Sequence, residues 1–379
     1  MKKTVRILLI GIALLALLVA GLHLSGNGYL IKGVQATYLQ GHTTASITDK
    51  KFFDLRTISA GEGKELFYHP KYADNKLSKR LLQMLESQET AAFLVLKRGV
   101  IHYERYWSPY DEHSATNSFS MAKSITTLLV QIAIQKGLIS SWDTPVVQFL
   151  PEIKGPFRET LTLRHLSEMT AGLYWEEDYH GPFDITAQTY YGSDIPKLMF
   201  TKVPTAEKPG SSFEYQSGAT QYLGMALREA TGMSLSAYAA QELWQPLQAQ
   251  QDAYWHLDRA NGMEIAYCCF NATARDFARL GLLIMNYGRY NGKQLLDESF
   301  MRYATQGQAS PYYGQSFWIA SPSFKTEVFA MRGHLGQYII AIPERELVIV
   351  HTGERNLPKK DGNHPEDFMV IIEEVLRQF

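Results

Sequence analysis

The chain has 379 residues, 45% of them hydrophobic, which is enough to bury a large core as one big domain or two lobes. Acidic and basic residues nearly cancel, to a formal net charge of -1, and are interspersed, so no electrostatic argument favours nucleic acid or an acidic partner. The two cysteines, Cys268 and Cys269, are adjacent and have neither disulfide-framework nor zinc spacing; they read as small buried side chains. Metalloprotease, phosphate-loop and nucleophile-elbow motifs are missing, so no metal and no cofactor is expected.

At the N-terminus, Lys2, Lys3 and Arg6 precede an uncharged, mostly apolar stretch from Ile7 to Leu24. Its length is at the short limit for a membrane span, and its layout also fits a signal peptide. An Ala-x-Ala cleavage site is missing, and the nearest candidate is Val19-Ala20-Gly21. Residues 1–27 are therefore expected to act as a signal-anchor with the positive flank inside, or as a cleaved signal peptide. The body would be exported: periplasmic and tethered to the inner membrane by residues 7–24, or secreted after cleavage. Residues 28–50 read as a linker, and 51–379 as the folded body.

Within the body, Lys76–Glu86 has helical spacing. Thr90–Leu96 reads as a strand, Lys97-Arg98-Gly99 as a turn, and Val100 to about Trp107 as a second strand. From Ser120 to about Asn286 the pattern is mainly helical, with Gly- and Pro-marked loops. Strands return at Ser316–Ile319, Gln337–Ile342 and Glu346–His351, and Pro365–Phe379 closes the chain with helical spacing. The expected fold is α/β: an antiparallel sheet built from both chain ends and flanked by helices. The α/β lobe would take about 51–115 and 290–379, with a mainly helical lobe inserted over about 116–289.

Three short motifs carry the chemistry. Ser120-Met121-Ala122-Lys123 heads an apolar helical run (Ile125, Leu128, Leu129, Ile132) that stops at Gly137. Positions i and i+3 share a helix face, so the Lys123 amine can reach the Ser120 hydroxyl, and the helix N-terminus favours negative charge there. Ser-x-x-Lys occurs once in the chain, but its spacing alone is weak evidence. Tyr215-Gln216-Ser217 opens another helical pattern; a tyrosine beside a serine–lysine pair can relay a proton. His334-Leu335-Gly336 follows Gly333 and leads into an apolar strand, where glycines permit close approach of backbone to a substrate. Tyr-x-Ser recurs at Tyr106 and Tyr191, and Lys/His-x-Gly at Lys97, Lys208, His351 and Lys360. None of those copies has the same context.

In this order the motifs resemble the serine hydrolase superfamily of β-lactamases and penicillin-binding proteins, closest to its class C branch of esterases and amide hydrolases. The resemblance also rests on Ser141-Trp142-Asp143-Thr144-Pro145-Val146, Leu163-Arg164-His165-Leu166, Ala272-Thr273-Ala274-Arg275-Asp276 and Asn291-Gly292-Lys293-Gln294-Leu295, over roughly residues 75–379. Gly172–Tyr179 and Ala266-Tyr267-Cys268-Cys269 look most like relatives of 6-aminohexanoate-dimer hydrolase. The likeness implies a β-lactamase/transpeptidase-like fold and an acyl-enzyme on Ser120, with Lys123 and Tyr215 removing and relaying its proton. The backbone N–H groups of Ser120 and Gln337 would form the oxyanion hole, each typically worth about 3–4 kcal/mol.

Two departures narrow the substrate. His334 stands where penicillin-recognising members carry lysine, so a fixed charge for a substrate carboxylate is replaced by a hydrogen-bonding group. Ser217 stands in place of a frequent asparagine. Both favour small esters or amides over β-lactams. Ser217, His334 and Gly336 are expected to bind substrate. Trp175, Glu177, Asp178 and Tyr179 would line the pocket, with an acid to hold a substrate amine, or else form a solvated loop. His165 reads as a structural hydrogen-bonder, and Asp143 and Asp276 as caps or arginine partners. The rival to an enzyme is a catalytically silent, membrane-tethered module binding cell-wall peptides on the same scaffold. The sequence specifies neither the natural substrate nor an oligomeric state.

Overall fold

A computed structural model describes residues 2–179, 181–358 and 364–379, leaving the Lys360 triplet outside. Helix α1 (Lys2–Leu24) is followed by α2 (Tyr29–Ala36), strand β1 (Asp54–Ile58), α3 (Lys79–Ser87), β2 (Thr90–Lys97), β3 (Val100–Tyr106), β4 (Thr116–Asn117) and α4 (Met121–Gln135). Then come α5 (Leu163–Ser167), α6 (Ile185–Tyr191), α7 (Ile195–Lys202), α8 (Ser217–Thr231) and α9 (Leu235–Ala239). Next are β5 (Ala253–Leu257), β6 (Phe270–Ala272), α10 (Ala274–Met285), the hairpin β7 (Arg289–Tyr290) and β8 (Lys293–Gln294), and α11 (Glu298–Ala304). The chain closes with β9 (Trp318–Ile319), β10 (Phe329–Gly333), β11 (Gln337–Ile342), β12 (Leu347–Gly353) and α12 (Glu366–Gln378).

The main sheet has six strands in the order β3-β2-β12-β11-β10-β9, every pair antiparallel, so both ends of the chain build it as the sequence implies. Alternating side chains feed two separate cores, the period-two pattern of a sheet covered on both faces. Phe93, Val95, Ile340 and Ile349 pack with Leu81 and Leu85 of α3 and Ile371 and Ile372 of α12. Leu94, Leu96, Ile339 and Val348 join the larger core with Leu128 of α4 and Phe277 of α10. Gly281 lets α10 lie on the sheet, because a Cβ there would meet Val348 at 2.3 Å. Ser78 caps α3, accepting from the Leu81 amide at 3.1 Å.

The middle of the chain holds more strand than its spacing suggests. A second antiparallel sheet, β1-β5-β6-β4, draws β5 and β6 from the stretch read as helical, and β1 pairs with β5 rather than with the terminal strands. Strand β10, which leads straight into His334, was not expected either. The segment read as a linker holds α2 and packs on the body: Ala36, Thr37, Ile47 and Asp49 are buried. Cys268 and Cys269 are buried as expected, but they are joined in a vicinal disulfide rather than lying as separate thiols.

Candidate active site

Ser120 stands at the N-terminal edge of α4, directly after a residue held in the left-handed region, Phe119 (φ 44°). Such a backbone costs a non-glycine residue about 1–3 kcal/mol and persists only where its surroundings fix it. Here the Phe119 amide donates to Asn117 Oδ1 at 2.9 Å and the Ser118 amide to the Phe270 carbonyl at 2.9 Å. Helix α4 is buried from Met121 to Ala133, and Gly137 (φ 71°) follows its end, where the sequence places the stop.

Burial makes Lys123 the centre of the site. Its Nζ lies 3.1 Å from Ser120 Oγ, 2.9 Å from Ser217 Oγ and 3.1 Å from the Tyr267 carbonyl. Burial pulls its ammonium down to about 8, with the Glu177 carboxylate partly opposing the shift. The hydrogen positions follow from what each partner can do. A carbonyl only accepts, so Tyr267 takes one N–H. Ser217 Oγ gives its own hydrogen to Glu177 Oε1 at 2.6 Å, so it too accepts from Lys123. In the neutral amine both hydrogens are then used, and the lone pair is left for the Ser120 hydroxyl.

Tyr215 hydrogen-bonds Ser120 from the other side, and Lys123 Nζ lies 5.0 Å from the centre of its ring. Burial and then Glu177 push the phenol above its ordinary value, outweighing its hydrogen bond with Ser120 and the nearby Arg332. Tyr215 is a proton holder at rest.

Glu177 does not face outward as a ligand for a substrate amine. Oε2 accepts from the Ser217 amide at 2.6 Å and from Trp175 Nε1 at 2.7 Å, while Oε1 accepts from Ser217 Oγ and the Tyr179 hydroxyl. Trp175 is buried against α8, where a Cβ on Gly218 would meet its ring at 2.5 Å. Asp178 is half-buried, its carbonyl accepting from Thr186 Oγ1. Of these four residues only Tyr179 lines the cavity. Gln216 fastens the loop: Nε2 donates to the Leu173 and Trp175 carbonyls at 2.9 and 3.1 Å, and Oε1 accepts from the Leu173 amide at 3.1 Å.

The third motif closes the opposite side. Gly333 lies where a Cβ would sit 2.1 Å from the Ser118 carbonyl, so only glycine lets β10 come this close to the segment before Ser120. His334 lines the cavity, stacked on Tyr179 (centroids 5.4 Å) and edge-on to Phe119 (5.6 Å). Gly336 (φ 85°) hydrogen-bonds through its carbonyl to His351 Nδ1 at 2.6 Å. The side chain of Gln337 ties the turn, donating to the His334 and Gly353 carbonyls at 3.0 and 2.7 Å.

Ser120, Ser217, Tyr179 and His334 thus share one cavity, with Lys123 and Tyr215 behind Ser120. Three contributors were not assigned roles from sequence: the Tyr267 carbonyl, the wall formed by α2, and His351, whose triplet looked like an idle copy. The 264–268 segment that presents Tyr267 is held by Thr126 Oγ1 (2.9 Å to the Ala266 carbonyl), Gln221 and Trp255. His165 and Thr162 form a capping box, Asp143 pairs with Arg164 at 2.7 Å, and Asp276 with Arg279 at 3.0 Å, all structural roles as expected. Among the described residues no cluster of metal-ligating side chains occurs.

An antiparallel sheet built from both chain ends, with the serine–lysine pair on a buried helix behind it, defines a β-lactamase/transpeptidase-like fold. The chain belongs to the Beta-lactamase family, whose model matches residues 79–372. A 6-aminohexanoate-dimer hydrolase from Paenarthrobacter ureafaciens is 27% identical over 240 residues, which is 60% of this chain and 60% of that one. The match therefore spans less than two thirds of that relative. A Bacillus anthracis structure provisionally named a 6-aminohexanoate-dimer hydrolase superposes with a TM-score of 0.71 at 22% identity, covering 88% of this chain and 92% of its own. A family VIII carboxylesterase gives 0.63 at 15% identity, covering 83% and 99%.

Proposed function

We propose that the protein is a membrane-anchored, exported serine hydrolase that cleaves small-molecule esters or amides through an acyl-enzyme on Ser120. The observation that carries this reading is the hydrogen-bond accounting at Lys123, which leaves the lone pair of the neutral amine to the Ser120 hydroxyl. Ser120 Oγ attacks the carbonyl carbon as its proton passes to Lys123. Tyr215, protonated at rest, steadies Ser120 Oγ and hands a proton to the departing oxygen or nitrogen, which Lys123 replenishes. The backbone amides of Ser120 and Gln337 take the oxyanion. Water then repeats the attack on the acyl carbon, and Ser120 recovers its hydrogen as a carboxylic acid leaves. Export is inferred from α1, which is uncharged and mostly apolar from Ile7 to Leu24, and from Lys2, Lys3 and Arg6 before that stretch.

The test uses the full-length protein in detergent with its Ser120→Ala variant. A fluorophosphonate should add to the wild type only, and p-nitrophenyl butyrate turnover should fall at least a thousandfold in the variant. Well-folded wild type that neither labels nor turns over ester would sink the hydrolase reading and favour a binding module for cell-wall peptides.

A further inference from the structure

The cavity that holds Ser120 has one wall from the N-terminal segment: Tyr29, Leu30 and Val34 of α2, and Tyr38 just beyond it. This wall is part of the body. A Cβ on Gly33 would touch the Tyr191 ring at 3.4 Å, the Lys32 ammonium lies 4.0 Å from the centre of the Phe53 ring, and Ala36 and Thr37 are buried. Directly before it comes α1, whose apolar window is 0% buried against the rest of the protein. Four residues, Ser25 to Gly28, separate α1 from Tyr29. Even fully extended, that connection spans at most about 18 Å, so the cavity stays close to the membrane that α1 would cross. Apolar surface is exposed along this wall and beside the cavity: Val34 is 43% exposed, Tyr38 66%, and Phe183, next to the lining residue Pro182, 64%. Exposed apolar and amphipathic side chains beside a span suit the headgroup layer.

We propose that the site takes an ester or amide with a long apolar acyl chain, resident in the membrane crossed by α1, whose chain lies along α2 while its carbonyl reaches Ser120. The inference rests on the hydrolase reading above and names its substrate class. The covalent step is unchanged: the Ser120 Oγ–acyl bond forms as the alcohol or amine leaves with a proton. Water then cleaves that bond and releases a fatty acid to the bilayer. Each methylene buried along α2 raises kcat/KM by up to about fourfold, so selectivity should grow with chain length.

The full-length protein in phosphatidylcholine vesicles is assayed with p-nitrophenyl acetate, butyrate and octanoate. The octanoate is expected to exceed the butyrate at least tenfold in kcat/KM. Val34→Asp should cut that ratio at least tenfold, and the near-isosteric Val34→Thr should move it the same way by less, which guards against a misfolded variant. p-Nitrophenyl palmitate should turn over at least tenfold faster in the enzyme's own vesicles than in separate ones. Ser120-dependent turnover with no rise from butyrate to octanoate would overturn this inference and leave the hydrolase standing. A chain preference indifferent to both Val34 variants would overturn the α2 wall, and equal palmitate rates in the two vesicle arrangements would overturn the membrane source. Absence of any Ser120-dependent turnover or labelling would remove the hydrolase reading and this inference together.

Discussion

The floor of the cavity and its N-terminal wall are built by opposite means. The floor collects Ser120 and Lys123, Tyr215 and Ser217, and the Tyr267 carbonyl from three distant stretches of chain, and joins them through directional hydrogen bonds. The wall, α2, offers Leu30 and Val34 as apolar area, and the side-chain hydrogen bond at its end, Thr37 Oγ1 to the Gly33 carbonyl at 2.7 Å, only closes the helix. A buried polar site fails when one atom is removed, because the abandoned partner stays desolvated. An apolar wall loses function in proportion to area. Substitutions in the floor should therefore give abrupt losses, whatever the length of the substrate's acyl chain.

The largest loss is expected from Lys123→Met, which keeps volume and apolar stem but removes the amine. General-base catalysis is worth about 10²–10⁴, and this variant also strips a donor from Ser217 Oγ and the Tyr267 carbonyl. A fall in kcat/KM of about 10³ or more is expected, equal for acetate and octanoate esters and not recovered by raising the pH. A loss confined to the octanoate would place Lys123 with the wall and break the contrast.

Tyr215→Phe should come next, with a fall of about 10². The ring's contacts with Tyr313 (5.8 Å) and Trp318 (5.5 Å) survive the change, so folding should not suffer. The loss should be greater for amides than for activated p-nitrophenyl esters, since an amine leaving group needs the proton that Tyr215 delivers and a nitrophenolate does not. Equal losses on the two substrates would deny Tyr215 that relay.

The same contrast explains what the sequence displays. Ser120 and Lys123 are legible because i, i+3 spacing on a helix is local geometry, and His334 because its glycines precede an apolar strand. Gly333 is needed for a reason visible only in three dimensions, the Ser118 carbonyl 2.1 Å from where its Cβ would be. The Tyr267 contact is made by a backbone carbonyl, which any residue has, so no side-chain pattern can announce it. Glu177 reads from sequence as a pocket acid or part of a solvated loop, because its four donors, on Trp175, Tyr179 and Ser217, meet only after the loop folds onto α8. Strands β5 and β6 are five and three residues long, too short for period two to stand out from their surroundings. Helix α2 has eight residues, a Gly28 N-cap with no side-chain bond, and contacts through Lys32 and Gly33 whose partners, Phe53 and Tyr191, lie on β1's flank and α6, so it read as a linker.

Glu177→Gln should have the smallest effect, and the most diagnostic one. Glu177 touches no cavity-facing atom of Ser120; it acts by orienting Ser217 and by its charge on Lys123. Lys123 accepts a proton only when neutral, so kcat/KM should rise with pH through about 8, the value set by burial against Glu177. The carboxylate favours the ammonium form and raises that value, so removing its charge must lower it. The rising limb of the pH profile should therefore move to lower pH in Glu177→Gln, with the high-pH plateau reduced by about tenfold or less because the amide still accepts from Ser217. A limb that moves to higher pH, or stays while the plateau falls, would mean that Glu177 only shapes the loop. The floor's electrostatics would then belong to burial alone.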